Sequence, residues 1–370
     1  MTATLSTDVT AGYRRLVSPV DHANVRARVE KALAAFLAQQ RSLLASIDPA
    51  LEPVADTIEA FVLRGGKRLR PAFAYWGYRG AGGVDRDEVT AAVAALELVQ
   101  ASALIHDDVM DASDTRRGEP AVHRRFAALH EAHQWEGDAD SFGSGSAILL
   151  GDLCLTWSDE LLRCSGLDVA ALQRARPVFD LMRTEVIAGQ YLDVHAQATA
   201  DSSLRRASVV AKYKSAKYTV ERPLLLGAAI ADGAKEVGAA YSGYGLPLGE
   251  AFQLRDDILG VFGDPARTGK PAGDDLREGK RTYLVAVAID AANPAGAAEL
   301  RRGLGRLDLD GESVARLREI IVASGALART EQRIATLTES ALSALSAVDL
   351  SAGAAEMLTD LALAATRRSG

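Results

Sequence analysis

Cysteine is nearly absent from the 370-residue chain, which has only Cys154 and Cys164, ten positions apart in a stretch that reads as helix. That excludes a disulfide framework and leaves reduced, buried thiols as the expectation. Aromatic residues are scarce, at 5%, and no strand-like alternation of useful length occurs, which argues against a sheet-built core. No internal repeat of fixed period is present. The 42 basic and 49 acidic residues leave a net charge of −7, without the basic excess of a general nucleic-acid binder. Long apolar runs are missing too. The opening MTATLSTDVTAGYRR has no apolar signal core, and residues 224–231 are too short to span a bilayer. The chain reads as cytoplasmic, with no transmembrane segment.

What is plentiful is alanine, within a 48% hydrophobic share, and alanine is the best helix former. Residues 1–24 look irregular; residues 25–370 read as one all-α domain. Apolar spacing predicts helices over 25–47 and 55–63, a stop at Gly65-Gly66 and a new helix opening near Pro71. A turn at 80–83 precedes a long helix capped by Asp87 and running to about Asp111. Residues 138–146, rich in Gly, Ser and Asp, read as a loop, and helices resume near Ala147, Leu167, Leu204 and Ala234. A second loop covers 263–279, with helical spacing over 282–292 and again beyond Asp310.

The strongest chemical signal is Asp107-Asp108-Val109-Met110-Asp111 at the end of the long helix. Asp107 and Asp111 share one face, where like charges repel and carboxylates oppose the helix dipole. A hard divalent cation such as Mg2+ compensates both penalties. A second acidic pair, Asp256-Asp257, follows Phe252-Gln253 and interrupts an apolar helix, where acids without partners are expensive. Either pair alone could be a solvated helix end or a salt bridge; two such pairs suggest a shared metal–diphosphate site. Basic islands supply the counterpart. Lys67, Arg68 and Arg70 follow a glycine-released turn, a phosphate cradle or an ordinary basic surface turn; Arg116-Arg117, just after Asp111, suits phosphate or the neutralising of Asp111 and Asp114. Lys214, Lys217, Lys270 and Lys280 are individually uninformative, though Lys270 and Lys280 flank the loop after the second acid pair.

GGKRLRP (65–71), LIHDDVMDASDTRRGEPAVH (104–123), GDLCL (151–155), FQLRDDILGVFGD (252–264) and TGKPAGDDLREGKRTYL (268–284) stand in that order along the chain. Together they resemble the trans-type isoprenyl diphosphate synthases, or polyprenyl synthetases, and especially the bacterial geranylgeranyl diphosphate synthases. The resemblance implies a helical bundle around a central cavity, a homodimer, and Mg2+-dependent condensation of isopentenyl diphosphate with an allylic diphosphate. It implies that Asp107 and Asp111, with Asp108 nearby, hold metal on the allylic diphosphate, that Asp256 beside Asp257 holds a further ion, and that Arg116 grips the same diphosphate. Lys67, Arg70 and Arg117 then bind isopentenyl diphosphate, with Gln100 where the family often has His. Lys214 and Ser215, rivalled by Lys217, match the family's Lys-Thr pair, while Gln253, Lys270 and Lys280 complete the site. His106 is expected to orient Asp107 or face the helix packing. The family's second motif usually ends in Asp where this chain has Gly260, a place Asp264 could serve through the loop. Ser102 and Ala103, one turn before Asp107, are small where farnesyl-producing relatives carry aromatics, so a twenty-carbon product is favoured. Val99, with Leu96 and Leu98, is a candidate lower floor. A longer-chain synthase, a class I terpene cyclase and a non-catalytic regulatory subunit are the alternatives.

Overall fold

Val25, Val29, Leu33, Phe36, Leu37 and Leu44 fall on one face of α1 (Val25–Ile47) and are buried, the stripe expected of an amphipathic helix. The structure is a computed structural model that describes residues 24–264, 273–351 and 353–366. A short 3-10 turn (Pro49–Leu51) leads from α1 to α2 (Glu52–Leu63), followed by α3 (Leu69–Gly80) and the long α4 (Asp87–Met110). Buried residues occur on every side of α4, which marks it as a central helix. Among the described residues it is the one helix long and apolar enough to cross a bilayer, but 72% of its apolar window is buried inside the protein. Its length therefore reflects a core position.

Beyond α4 come α5 (Val122–Ala132), α6 (Ala139–Arg163), α7 (Val169–Ala198) and α8 (Leu204–Val210). A π-helical segment (Ala211–Glu221) runs into α9 (Arg222–Ala231), and then comes α10 (Lys235–Phe262). α4 packs on α6, α3 on α9, and α10 on both the π segment and α15 (Ala326–Leu345). Gly77 and Gly227 let α3 and α9 interlock: a Cβ at Gly77 would lie 2.6 Å from the Leu224 carbonyl, and one at Gly227 would strike that of Ala74. A second apolar cluster joins Leu254, Ile258 and Val261 of α10 to Leu284, Leu317 and Ile334. These come respectively from α10, from α12 (Tyr283–Ala291), from α14 (Gly311–Ala323) and from α15; α11 (Asp274–Glu278), α13 (Pro294–Gly303) and α16 (Ala354–Thr366) complete the chain.

The all-α class holds, with local corrections. Residues 139–146 are helical, not a loop. Asp138 caps α6 by accepting from the Ser141 amide at 2.7 Å, and Gly143 sits so close to the His123 carbonyl that no Cβ would fit. Close packing of α5 on α6 thus overrides the weak helix propensity of glycine and serine. Asp87 is not the cap but the first residue of α4, paired with Arg28 at 2.9 Å. Cys154 is buried as expected and its thiol is pushed up to about 12 by burial, whereas Cys164 is exposed. Within the expected second loop, Asp274–Glu278 forms a helical turn. A minimal antiparallel pair, Thr115–Arg116 with Glu119–Pro120, turns through Arg117 (φ 55°) and Gly118 (φ 78°), the positive angles of a type I′ hairpin.

Candidate active site

The last turn of α4 projects the first acid cluster into a ring of cations drawn from three other regions. Asp107 Oδ1 accepts from Gln190 Nε2 at 2.9 Å and from Lys214 Nζ at 3.1 Å, and Arg116 Nη2 lies 3.8 Å from Oδ2. Burial opposes ionisation of Asp107, but Lys214, Lys280 and Arg116 outweigh it and hold its carboxyl well below the usual carboxylate range. Asp111 pairs with Lys280 at 3.2 Å. Its pKa is pushed up to about 6, mainly by burial, with the charges of Asp107 and Glu278 adding and Lys280 opposing. Asp108 is turned inward, 1% exposed, and accepts from Nε and Nη2 of Arg116. The repulsion expected between the acids is thus answered by fixed cations, and Arg116 is engaged with the brace at Asp108. His106 does not orient Asp107; its Nε2 lies 3.0 Å from the Ile148 carbonyl and 3.6 Å from Asp152, both on α6.

The second acid pair lies on α10. Gln253 Nε2 donates to Asp257 Oδ1 at 2.7 Å, while Gln253 Oε1 accepts from the Ser215 hydroxyl. Burial, assisted by the charges of Asp275, Asp256 and Asp193 and opposed by the Gln253 bond, pushes Asp257 up to about 8. Asp256 is half-buried beside it. The space a side chain at Gly260 would enter is taken by the carboxylate of Asp275, whose atoms are the three nearest to a Cβ built there. Asp275, from α11, rather than Asp264, stands where the missing third acid would project. Its carboxylate lies 3.7 Å from Lys280 Nζ, which also touches Asp111 and reaches Glu278 at 2.5 Å.

The π-helical segment separates the two rival lysines. Its wider turn, common at functional sites, directs Lys214 to Asp107 and to Asp193 Oδ2 at 2.6 Å. Lys217 instead pairs with Glu185 at 2.5 Å, next to Arg222. Gln190 and Asp193 were missed by reasoning from sequence. The available signal was the pair's three-residue spacing after Gly189, which puts both on one face. Gly189 lies against the Lys214 backbone too closely for any Cβ, so α7 and the π segment touch at the site.

The basic turn lies about two turns further toward the N-terminus of α4, beside Gln100. Lys67 is exposed. Arg70 donates to Thr219 Oγ1 at 2.8 Å with its guanidinium 4.2 Å from the Tyr218 ring centre, and the Tyr218 hydroxyl donates to Gln100 Oε1 at 2.8 Å. Arg117 donates to the Arg64 carbonyl at 3.2 Å. Gln100, Arg117, Arg68 and Glu97 share a small cavity. Ser102 and Val99 are buried, and Ala103 half-buried, toward the N-terminal side of Asp107 on α4. Lys270 lies outside the described residues.

The donor set suits magnesium. Among the described residues no three acidic, imidazole or thiol side chains form a ready-made group for a metal, but magnesium keeps several waters, takes phosphate oxygens and needs only one or two carboxylates. Lys214 already bridges Asp107 to Asp193, and Lys280 bridges Asp111 to Asp275, so each of these pairs lies within reach of one cation.

The polyprenyl synthetase family model matches residues 52–321, spanning both acid clusters and the basic turn. The chain belongs to the polyprenyl synthetase family. It is therefore a prenyltransferase. A solved geranylgeranyl pyrophosphate synthase from Corynebacterium glutamicum, complexed with isoprenyl diphosphate and magnesium, is 45% identical with a TM-score of 0.91, covering 95% of this chain and 99% of that one. Geranylfarnesyl diphosphate synthase of Aeropyrum pernix is 33% identical over 77% of this chain and 84% of its own length. Geranylgeranyl diphosphate synthase of Saccharolobus solfataricus is 34% identical over 70% and 73%. In this chain the two acid clusters and Lys214 lie where α4, α7, the π segment and α10 converge.

Proposed function

We propose that the enzyme joins isopentenyl diphosphate head-to-tail to an allylic diphosphate, with magnesium, and that its main product has twenty carbons. The observation that carries the reading is the pair of ammonium groups, Lys214 and Lys280, bridging acids that come from separate elements. Asp107, Asp111 and Asp256, with Asp275 filling the place beside Gly260, would hold the magnesium ions. Bound there, magnesium supplies Lewis-acid neutralisation of the departing diphosphate. Lys214 adds positive charge from the π segment, and Gln253 keeps Asp257 and Ser215 in register. Lys270 and Lys280 take the diphosphate-facing roles implied by the family.

Lys67, Arg70, Gln100 and Arg117 hold isopentenyl diphosphate opposite the allylic carbon. The allylic carbon–oxygen bond breaks with its electron pair on diphosphate, the terminal alkene carbon forms the new bond, and the released diphosphate takes the proton. The surrounding apolar helices keep water from the allylic cation. No side-chain nucleophile is needed.

Small Ser102 and Ala103 leave room for the growing chain, with Val99 deeper, and relatives named as geranylgeranyl synthases support twenty carbons. The geranylfarnesyl relative keeps a longer product as the second reading. A regulatory role is weakened because Asp275 fills the gap beside Gly260. Exposed Ile187, Tyr191 and Val194 on one face of α7 support a homodimer, which sedimentation would test. Incubating pure protein with magnesium, isopentenyl diphosphate and each allylic primer, followed by chromatography, tests the main reading; cyclic hydrocarbon or no turnover would overturn it. Ser102→Phe should shift the main product to a shorter chain, and unchanged length would refute the floor.

A further inference from the structure

A carboxylate lies beneath the basic turn, an unexpected neighbour for an anion site. Glu97, 6% exposed, sits on α4 one helical turn before Gln100 and lines the same cavity as Arg68 and Arg117. Arg68 Nη1 donates to Glu97 Oε2 at 2.6 Å, and its Nη2 donates to the Val62 carbonyl at 2.7 Å. Its Nε lies 3.7 Å from Glu30 of α1. One buried guanidinium therefore ties the end of α2 to α4 and α1 from the cap position of α3, where Arg68 holds a left-handed φ of 50°. Gly66, at φ 93°, lies above both Arg68 and Arg117, and Arg117 clamps the Arg64 carbonyl of the same turn at 3.2 Å.

We propose that Arg68 and Glu97 are a positioning pair for isopentenyl diphosphate. They fix the 64–68 turn on α4 so that Lys67, Arg70 and Arg117 converge near Gln100. Glu97 is the internal counter-ion that lets three guanidinium groups, those of Arg68, Arg70 and Arg117, sit together, and Arg68 shields it from the incoming diphosphate. This rests on the reading of Lys67, Arg70, Gln100 and Arg117 as the isopentenyl diphosphate cradle.

A view based on charge alone expects loss of an anion beside a diphosphate site to tighten binding. The positioning role demands the opposite. In the full-length enzyme, Glu97→Gln and Arg68→Met should each raise KM for isopentenyl diphosphate about tenfold, the usual order for losing a supporting partner. KM for the allylic substrate and kcat should stay within about twofold. Arg68→Lys should restore part of the loss, because an ammonium reaches Glu97 but lacks the second arm for Val62. Should Arg68→Met fail to fold, the apolar double variant Arg68→Met/Glu97→Leu, a replacement that buried ion pairs often tolerate, should fold and keep the raised KM. A lower KM in Glu97→Gln, or both KM values and kcat moving together, overturns the inference. Lys67→Ala separates the two levels. If it leaves KM for isopentenyl diphosphate unchanged, the cradle reading fails and takes the pair's role with it. If it raises KM while Glu97→Gln does not, the positioning inference alone fails.

Discussion

The two acid clusters look alike in sequence and differ in state. In the first, at the end of α4, Lys214, Lys280 and Arg116 hold Asp107 ionised against its burial, while burial lifts Asp111 to about 6. The second, on α10, has Gln253 as the side-chain partner of Asp257, and burial pushes that acid up to about 8. Identical residues therefore sit in different fields: neighbouring cations depress the acid on one helix, while burial and further acids raise the one on the other. The cause is what packs against each helix. The π segment and the Lys280 region bring ammonium groups to α4, whereas an amide and further acids face Asp257.

The contrast can be broken at its charged end first. Asp107→Asn removes the anion around which Lys214, Gln190 and Arg116 gather, and should lower kcat/KM roughly a thousandfold, measured by radiolabelled product formation. Gly260→Asp forces a new carboxylate into the space of Asp275, and should cost about a hundredfold. The double variant Gly260→Asp/Asp275→Gly, which moves the acid back onto α10, should recover most of that loss and also restore Mn2+ affinity measured by electron paramagnetic resonance; no recovery in either measurement would remove Asp275 from the set. Asp257→Asn keeps the size of the side chain and the Gln253 contact and should cost no more than about tenfold, far less than Asp107→Asn; equal losses would erase the distinction. The smallest effect lies outside the cleft. Glu185 is held below its ordinary value because Arg222 and Lys217 outweigh its burial. Glu185→Gln should destabilise by about 1–2 kcal/mol at pH 7 in denaturant melts, with product length unchanged. The depressed acid contributes its stability above about pH 4.5 and loses it as pH falls through the lowered value, so the two melts should converge in acid.

Much of this was legible without coordinates. The Asp107–Asp111 spacing, the glycine-released basic turn and the all-helical periodicity are local patterns, and each appears in the structure. The helical state of residues 139–146 was not legible, because it depends on how closely α5 approaches Gly143. Gln190 and Asp193 were passed over because a polar pair on a long helix usually faces solvent, and only contacts with Asp107 of α4 and Lys214 of the π segment engage them. The choice between Lys214 and Lys217 also fell to tertiary structure, since a π turn shifts which side chains share a face.

By itself the sequence determined the fold class, the order of the motifs and the chemistry of acids set against bases, because helix periodicity and short charge spacings are properties of neighbouring residues. Tertiary structure alone decided which acids are depressed and which raised, which lysine faces them, and that Asp275 fills the space beside Gly260. Those outcomes depend on burial and on charges brought together from distant parts of the chain, and burial exists only once the helices have packed.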